Sequence, residues 1–471
     1  MTMLLTESPW SDSFIFLLIF TIVVGILLYY YFFHENPKTI PEGDGWWGAR
    51  ERQDTQEDET VHSFTIETFE EMIQDLHYRL DHTRFTPPLE DSRFQYGFNS
   101  NYLRKVVSYW RKDYNWKKQL EILNQFPHFR TRIEGIDIHF VHVKPRYLPS
   151  GQTAIPLMMI HGWPGSFYEF YKIIPQLTDP VSHSLSQQET FEIICPSIPG
   201  YGFSEAPHKK GFNSIAAARV FCKLMRRLGF DRFYVQGGDW GSLIATNMAQ
   251  MKPQNVKGIH LNFFPNSRMG LKILPSLLLG RYAPALFGFT QTDVERMYPF
   301  IKKNVYDLLK ESGYMHIQGT KPDSLGCALN DSPVGLAAYI LEKFSTWTNK
   351  DFRDLEDGGL TRKFSLDELL TNVMIYWVSG SITSSMRLYK ENLGADFQNR
   401  VDDKVGVYVP VGMAAFPNEL IYIPLAWARQ KYKKIMTFSY MSCGGHFAAF
   451  EEPDLLAEDL RNFVQTVEKS S

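Results

Sequence analysis

Cysteine is scarce in this chain of 471 residues: four in all, Cys195, Cys222, Cys327 and Cys443. No two form a Cys-x-x-Cys pair. So few in so long a chain speak for free buried thiols in reducing surroundings, against a disulfide framework or a zinc site. Charge of either sign is balanced as well, with 49 Lys and Arg against 52 Asp and Glu, for a net charge of -3. No basic stripe points to nucleic acid as a partner, and no long acidic run points to a disordered tail. Gly-x-Ser-x-Gly is absent, which counts against a serine hydrolase. Repeats and low-complexity tracts are absent too.

Apolar residues make up 44% of the chain and aromatics 15%, enough to bury a sizeable core. The run from Phe14 to Phe33, FIFLLIFTIVVGILLYYYFF, carries no charge. A bilayer crossing takes roughly 20 such residues. Tyr29, Tyr30 and Tyr31 suit the aromatic belt of a membrane interface. No basic n-region precedes the run and no small-x-small site follows, so it reads as an uncleaved anchor and not as a signal peptide. No Lys or Arg precedes it, whereas Lys38, Arg50 and Arg52 follow, which places the body on the cytosolic side. No second run spans a bilayer; Ile273–Leu279 is apolar but short.

The expected organisation is an anchor over 1–33, a linker and helical wrapping segment over 34–128, a core over 129–264 resumed over 401–471, and a helical cap inserted over 265–400. Trp46 and Trp47 in the linker must dock on something. Residues 64–125 read as helical, with Phe69, Met72, Ile73, Leu76 and Leu80 at helical spacing. Ile136–Val143 alternates as a strand does. Ile155–His161, Phe191–Cys195, Arg232–Gln236, Val256–Asn262, Lys404–Val411 and Lys434–Tyr440 are short apolar runs separated by turns and helices. That alternation predicts an α/β fold with a mostly parallel sheet and helices on both faces. Between 265 and 400 it lapses into aromatics and helical stretches such as Leu336–Phe344.

The third run leads into Val235–Ser242, VQGGDWGS. Glycines around a sharp strand-to-helix turn form a nucleophile elbow, with Asp239 where a serine would stand. An ordinary tight turn capped by aspartate would look the same, so the company of Asp239 decides. His446 follows the last strand in a glycine loop, where this architecture puts its base. Glu419, in AFPNE, follows the preceding strand and would orient the imidazole. Asp402 and Asp403 compete for that role but precede the strand. The loop His161-Gly162-Trp163-Pro164 follows the first long strand, with His161 as a structural histidine. The backbone N–H groups of Trp163 and Trp240 would form an oxyanion hole. A carboxylate nucleophile suits displacement at an sp³ carbon, giving an alkyl ester that water, activated by His446, then cleaves. A strained epoxide and a halide are both fitting leaving groups; the epoxide oxygen needs a proton donor such as tyrosine.

These residues resemble the microsomal epoxide hydrolase family, an α/β-hydrolase family. HGWPGSFYEFYKII, PGYGFS, GGDWGS, AFPNE, GGHFAAFEEP, GYMHIQGTKPDSLGCALNDSPVGLAAYILEKFSTWT, LYKENLG and DGWWG carry the resemblance, which runs from about residue 40 to 465. It implies hydrolysis of lipophilic epoxides to vicinal diols with no metal and no cofactor. Water is the co-substrate and residues 14–33 hold the chain in the endoplasmic reticulum membrane. Asp239 matches the nucleophile, His446 the base, Glu419 its partner, and Tyr314 and Tyr389 the cap tyrosines that polarise the epoxide oxygen. Relatives act on xenobiotic arene and alkene oxides, on lipid epoxides and on insect juvenile hormone. Broad xenobiotic use is expected here, with a juvenile-hormone-type enzyme or a haloalkane dehalogenase as the alternatives.

Overall fold

The computed structural model describes residues 16–25, 39–52, 57–148, 153–179, 189–265, 273–394 and 400–470. The chain divides into two compact units, 1–38 and 39–471. In the first unit, 16–25 is helical and exposes Phe16, Leu17, Phe20 and Ile22. Positions 14, 15 and 26–33 of the expected anchor lie outside the described residues. Among the described residues no helix is long and apolar enough to cross a membrane.

The second unit is built on a sheet whose described strands run in the order β1-β2-β3-β5-β4-β6-β7-β8-β9. β1 is His62–Phe64, β2 His128–Ile133, β3 Ile136–Val143, β4 Ile155–Ile160 and β5 Phe191–Pro196. β6 is Phe233–Gly237, β7 Val256–Leu261, β8 Val407–Ala415 and β9 Tyr432–Tyr440. From β5 to β9 every pairing is parallel, and β1, β2 and β3 extend the edge antiparallel. The parallel strands read as apolar runs because both their faces are covered: Leu157, Met158, Met159 and Ile160 of β4 are all inaccessible.

The N-terminal segment is less helical than its periodicity predicts. Helices form at Glu70–Asp81, Ser100–Lys112 and Trp116–Leu123, but His62–Phe64 joins the sheet edge and 83–99 is irregular. Trp47 docks by donating its indole N–H to Glu134 Oε2 (2.7 Å) and setting its ring edge-on to Phe212. Glu134 is itself buried against Arg219, at 2.6 Å. The wrapping segment bears on the inserted cap: Tyr109 donates to Asp367 (2.8 Å), Tyr114, in the turn after the second helix, bonds Thr371 (3.1 Å), and Arg79 pairs with Asp331 (2.9 Å). The cap leaves the sheet after β7 and returns before β8, and its described part contains helices and turns but no strand. All four cysteines are free; Cys195 and Cys222 are buried, but Cys327 and Cys443 are exposed, against the expectation of burial.

Candidate active site

β6 ends at Gly237, and the helix Asp239–Met251 begins two residues on. Between them Asp239 takes a left-handed φ of 48°, a conformation a non-glycine residue holds only under constraint from its surroundings. The constraint is close packing of the elbow against β4. A Cβ on Gly241 would sit 1.9 Å from the Ile160 carbonyl oxygen. Only glycine lets the helix come that near the strand.

The Asp239 carboxylate is gripped from two sides. Trp163 N–H donates to Oδ1 at 2.8 Å. His446 Nε2 stands 3.3 Å from Oδ2. The other ring nitrogen of His446, Nδ1, is bonded to Glu419 Oε1 at 2.7 Å. Asp239, His446 and Glu419 therefore come together in the order the sequence suggests. Asp402 makes no bond to His446 among the described residues and is paired with Arg400 at 2.7 Å, on the wall of a cavity that Asp239 also borders. Trp240 N–H makes no hydrogen bond to the carboxylate among the described residues; it opens the helix just behind it. His161 is buried, accepts the Ile198 N–H at Nε2 (3.1 Å), and is pushed down to about 4 by burial. It serves as a neutral strut for the loop.

Burial opposes charge on His446, yet Glu419 and Asp239 outweigh it, and its pKa lies well above the ordinary value. The loop that carries it is fixed from both ends. Its N–H donates to the Trp347 carbonyl (3.1 Å), and Glu451 accepts the N–H groups of Gly445 and Phe447, each at 2.8 Å. Glu451 was not anticipated, although GGHFAAFEEP contains it. Glu169, in HGWPGSFYEF, is likewise outside the sequence-derived site. Burial pushes both carboxyls up to about 8.

The cap supplies the aromatic wall. Tyr314 stacks on Trp163 with ring centres 5.2 Å apart and meets Tyr389 edge-on at 5.8 Å. Tyr389 in turn stands edge-on to Trp240, at 4.8 Å. Burial raises both phenols, followed at Tyr314 by the negative charge of Asp239 and at Tyr389 by Tyr314 and then Asp239, so they stay protonated donors at neutral pH. With Asp239 they line a cavity of about 420 Å³ whose walls include Leu308, Met315, Trp347 and Ile423. The cap also holds the Trp163 loop. Asn372 Nδ2 donates to the Pro164 carbonyl (2.8 Å), and Tyr376 donates to the carbonyl of Gly165 (2.6 Å), just past the cis Trp163-Pro164 bond. Gly162 lies against the Asp239 carboxylate. Among the described residues no group of three or more His, Cys, Asp or Glu side chains could hold a metal ion. A carboxylate with two neutral phenols beside it in an apolar cavity, and an imidazole–carboxylate pair against its other oxygen, can open a strained ether and then hydrolyse an ester.

Residues 61–170 match the family description "Epoxide hydrolase N terminus", and 155–412 match "alpha/beta hydrolase fold". Over 447 residues the chain is 61% identical to Epoxide hydrolase 1 of Sus scrofa, covering 95% of this chain and 98% of that one. It is 46% identical to Juvenile hormone epoxide hydrolase 1 of Ctenocephalides felis over 452 residues, 95% of each. The crystal structure of juvenile hormone epoxide hydrolase from the silkworm Bombyx mori superimposes with a TM-score of 0.86 at 42% identity, covering 90% of this chain and 99% of that one.

Proposed function

The chain belongs to the epoxide hydrolase family and hydrolyses epoxides to vicinal diols; we propose that it does so through a covalent ester on Asp239. In this reading Asp239 attacks an epoxide carbon, and Tyr314 and Tyr389 hold the oxygen and give it a proton as the C–O bond breaks. The ester then faces His446, which takes a proton from water while Glu419 steadies the imidazolium. The Trp163 and Trp240 N–H groups receive the charge that develops on the ester oxygen. The single observation that carries this assignment is the Asp239 carboxylate held between Trp163 N–H at 2.8 Å and His446 at 3.3 Å. The paired phenols favour an epoxide over a haloalkane, whose leaving halide needs no proton.

The test is an intact mass of the His446→Gln variant after incubation with styrene oxide. A stable adduct of one substrate mass on the peptide holding Asp239 is expected, and Asp239→Ala should form neither adduct nor diol. Diol formation by Asp239→Ala at the wild-type rate would sink the assignment.

The apolar cavity and the uncharged run at 14–33 support lipophilic substrates, xenobiotic arene and alkene oxides foremost, reached from a membrane. The same run supports a single-pass membrane anchor, and Lys38, Arg50 and Arg52 after it support a cytosolic catalytic unit; the endoplasmic reticulum is the membrane that the resemblance to the microsomal family implies. Similarity to juvenile hormone epoxide hydrolases makes juvenile hormone the second substrate to try.

A further inference from the structure

Asp239 borders two separate cavities. The large one lies on the cap side and contains Tyr314 and Tyr389. A chamber of about 20 Å³ lies on the strand-end side, lined by Gln236, Asn262, Glu169, Trp163 and His446. Asp239 is the only described residue that lines both, and His446 borders the chamber alone. About 10–15 Å³ is enough for one water, provided polar partners surround it.

The partners are there. Gln236 is 1% exposed and donates its amide to Asn262 (2.8 Å), which leaves Oε1 buried with no hydrogen-bond partner among the described residues. The Glu169 carboxyl occupies space that Gly165 leaves free; a Cβ there would lie 1.4 Å from Oε1. Glu169 forms no ion pair among the described residues, and burial, with the nearby Asp239 charge, keeps it protonated at neutral pH.

We propose that Glu169 positions the hydrolytic water in this chamber, so that ester formation and ester hydrolysis take place on opposite sides of Asp239. The inference rests on Asp239 forming the alkyl ester. The water donates one hydrogen bond to the Glu169 carboxyl oxygen and the other to His446 Nε2. As His446 takes that proton, the water oxygen bonds to the carboxyl carbon of Asp239. The carbonyl electron pair moves onto the oxygen held by Trp163 N–H. Collapse expels the diol oxygen, which recovers the proton from His446; the Asp239 carboxylic acid so released gives up its remaining proton, which restores the tyrosine that protonated the epoxide oxygen, and Asp239 returns as a carboxylate. Glu169 keeps its own proton throughout and acts by position.

Rapid-quench single turnovers of the full chain with styrene oxide, read by intact mass, separate the two steps. Glu169→Leu is expected to slow ester hydrolysis about 100-fold and leave ester formation within about 3-fold, so that the alkyl-enzyme accumulates. Glu169→Gln mimics the neutral acid and should restore hydrolysis to within about 5-fold. Gly165→Ala displaces the carboxyl while leaving Glu169 in place; it too should slow hydrolysis, and it carries the test if Glu169→Leu does not fold. Equal loss in both steps, unchanged hydrolysis in Glu169→Leu, or Glu169→Gln as slow as Glu169→Leu would overturn the proposal. Diol formation by the wild type with no alkyl-enzyme at any time would overturn the ester on Asp239 itself, a separate result.

Discussion

Tyr314 and Tyr389 reach the large cavity from different cap helices, Gly313–Thr320 and Ile382–Leu393. Two donors to one oxygen share the work, so Tyr314→Phe or Tyr389→Phe should each slow ester formation about 10-fold or more, and the pair about 1,000-fold. Ester hydrolysis should hold its wild-type rate, which a chase of preformed alkyl-enzyme measures. His446 gives a pH prediction. Its pKa is held up against burial by Glu419 and Asp239. Esterification removes the Asp239 charge and with it part of that support, leaving the imidazole readier to act as a base. Hydrolysis should therefore fail as pH falls and His446 takes up a proton. Glu419→Gln removes the leading support, so the acid limb should move to lower pH with a lower plateau, as a hydrolysis-rate profile between about pH 5 and 9 would show. An unmoved limb would detach Glu419 from the imidazole. Sequence made Asp239, His446 and Glu419 legible because each follows a strand, where a fold of this kind exposes side chains. Glu169 and Glu451 were not legible: one depends on the space left by Gly165, the other on two N–H groups of a folded loop.

At the scale of elements, the elbow is the tightest joint. A methyl on Gly241 has no room beneath the Ile160 carbonyl, and Gly241→Ala should cost about 1–3 kcal/mol. Activity should fall much further than melting temperature, because the displaced turn carries Asp239; thermal melts and diol assays on one preparation would show the mismatch. The parallel strands could be read within a few residues, since burial on both faces leaves a continuous apolar run. β1 could not: His62-Ser63-Phe64 is three residues long and pairs only with β2. The helix Gly313–Thr320 was also obscure. It contains two glycines, begins without a side-chain cap and ends against Pro322, so tertiary packing and not local propensity makes it helical.

Across the whole molecule, residues 39–471 contain the sheet, cap and wrapping helices as one compact unit. Removing residues 1–38 should leave diol formation per enzyme within about 2-fold, while the protein stops sedimenting with phospholipid vesicles. Equal sedimentation of both forms would end the case for an anchor at 14–33. The wrapping segment is expected to pack around the main domain; that it grips the cap through Tyr109, Tyr114 and Arg79 depends on partners more than 250 residues away, beyond any local pattern. The cap departs after β7 and re-enters at β8, and those two strands are parallel neighbours. An insertion whose ends meet at one seam can be exchanged as a cassette. The phenols proposed to open the epoxide would travel with it, while the residues proposed to clear the ester stay behind with the sheet. Descent can thus retune what such a hydrolase accepts without relearning how it lets go.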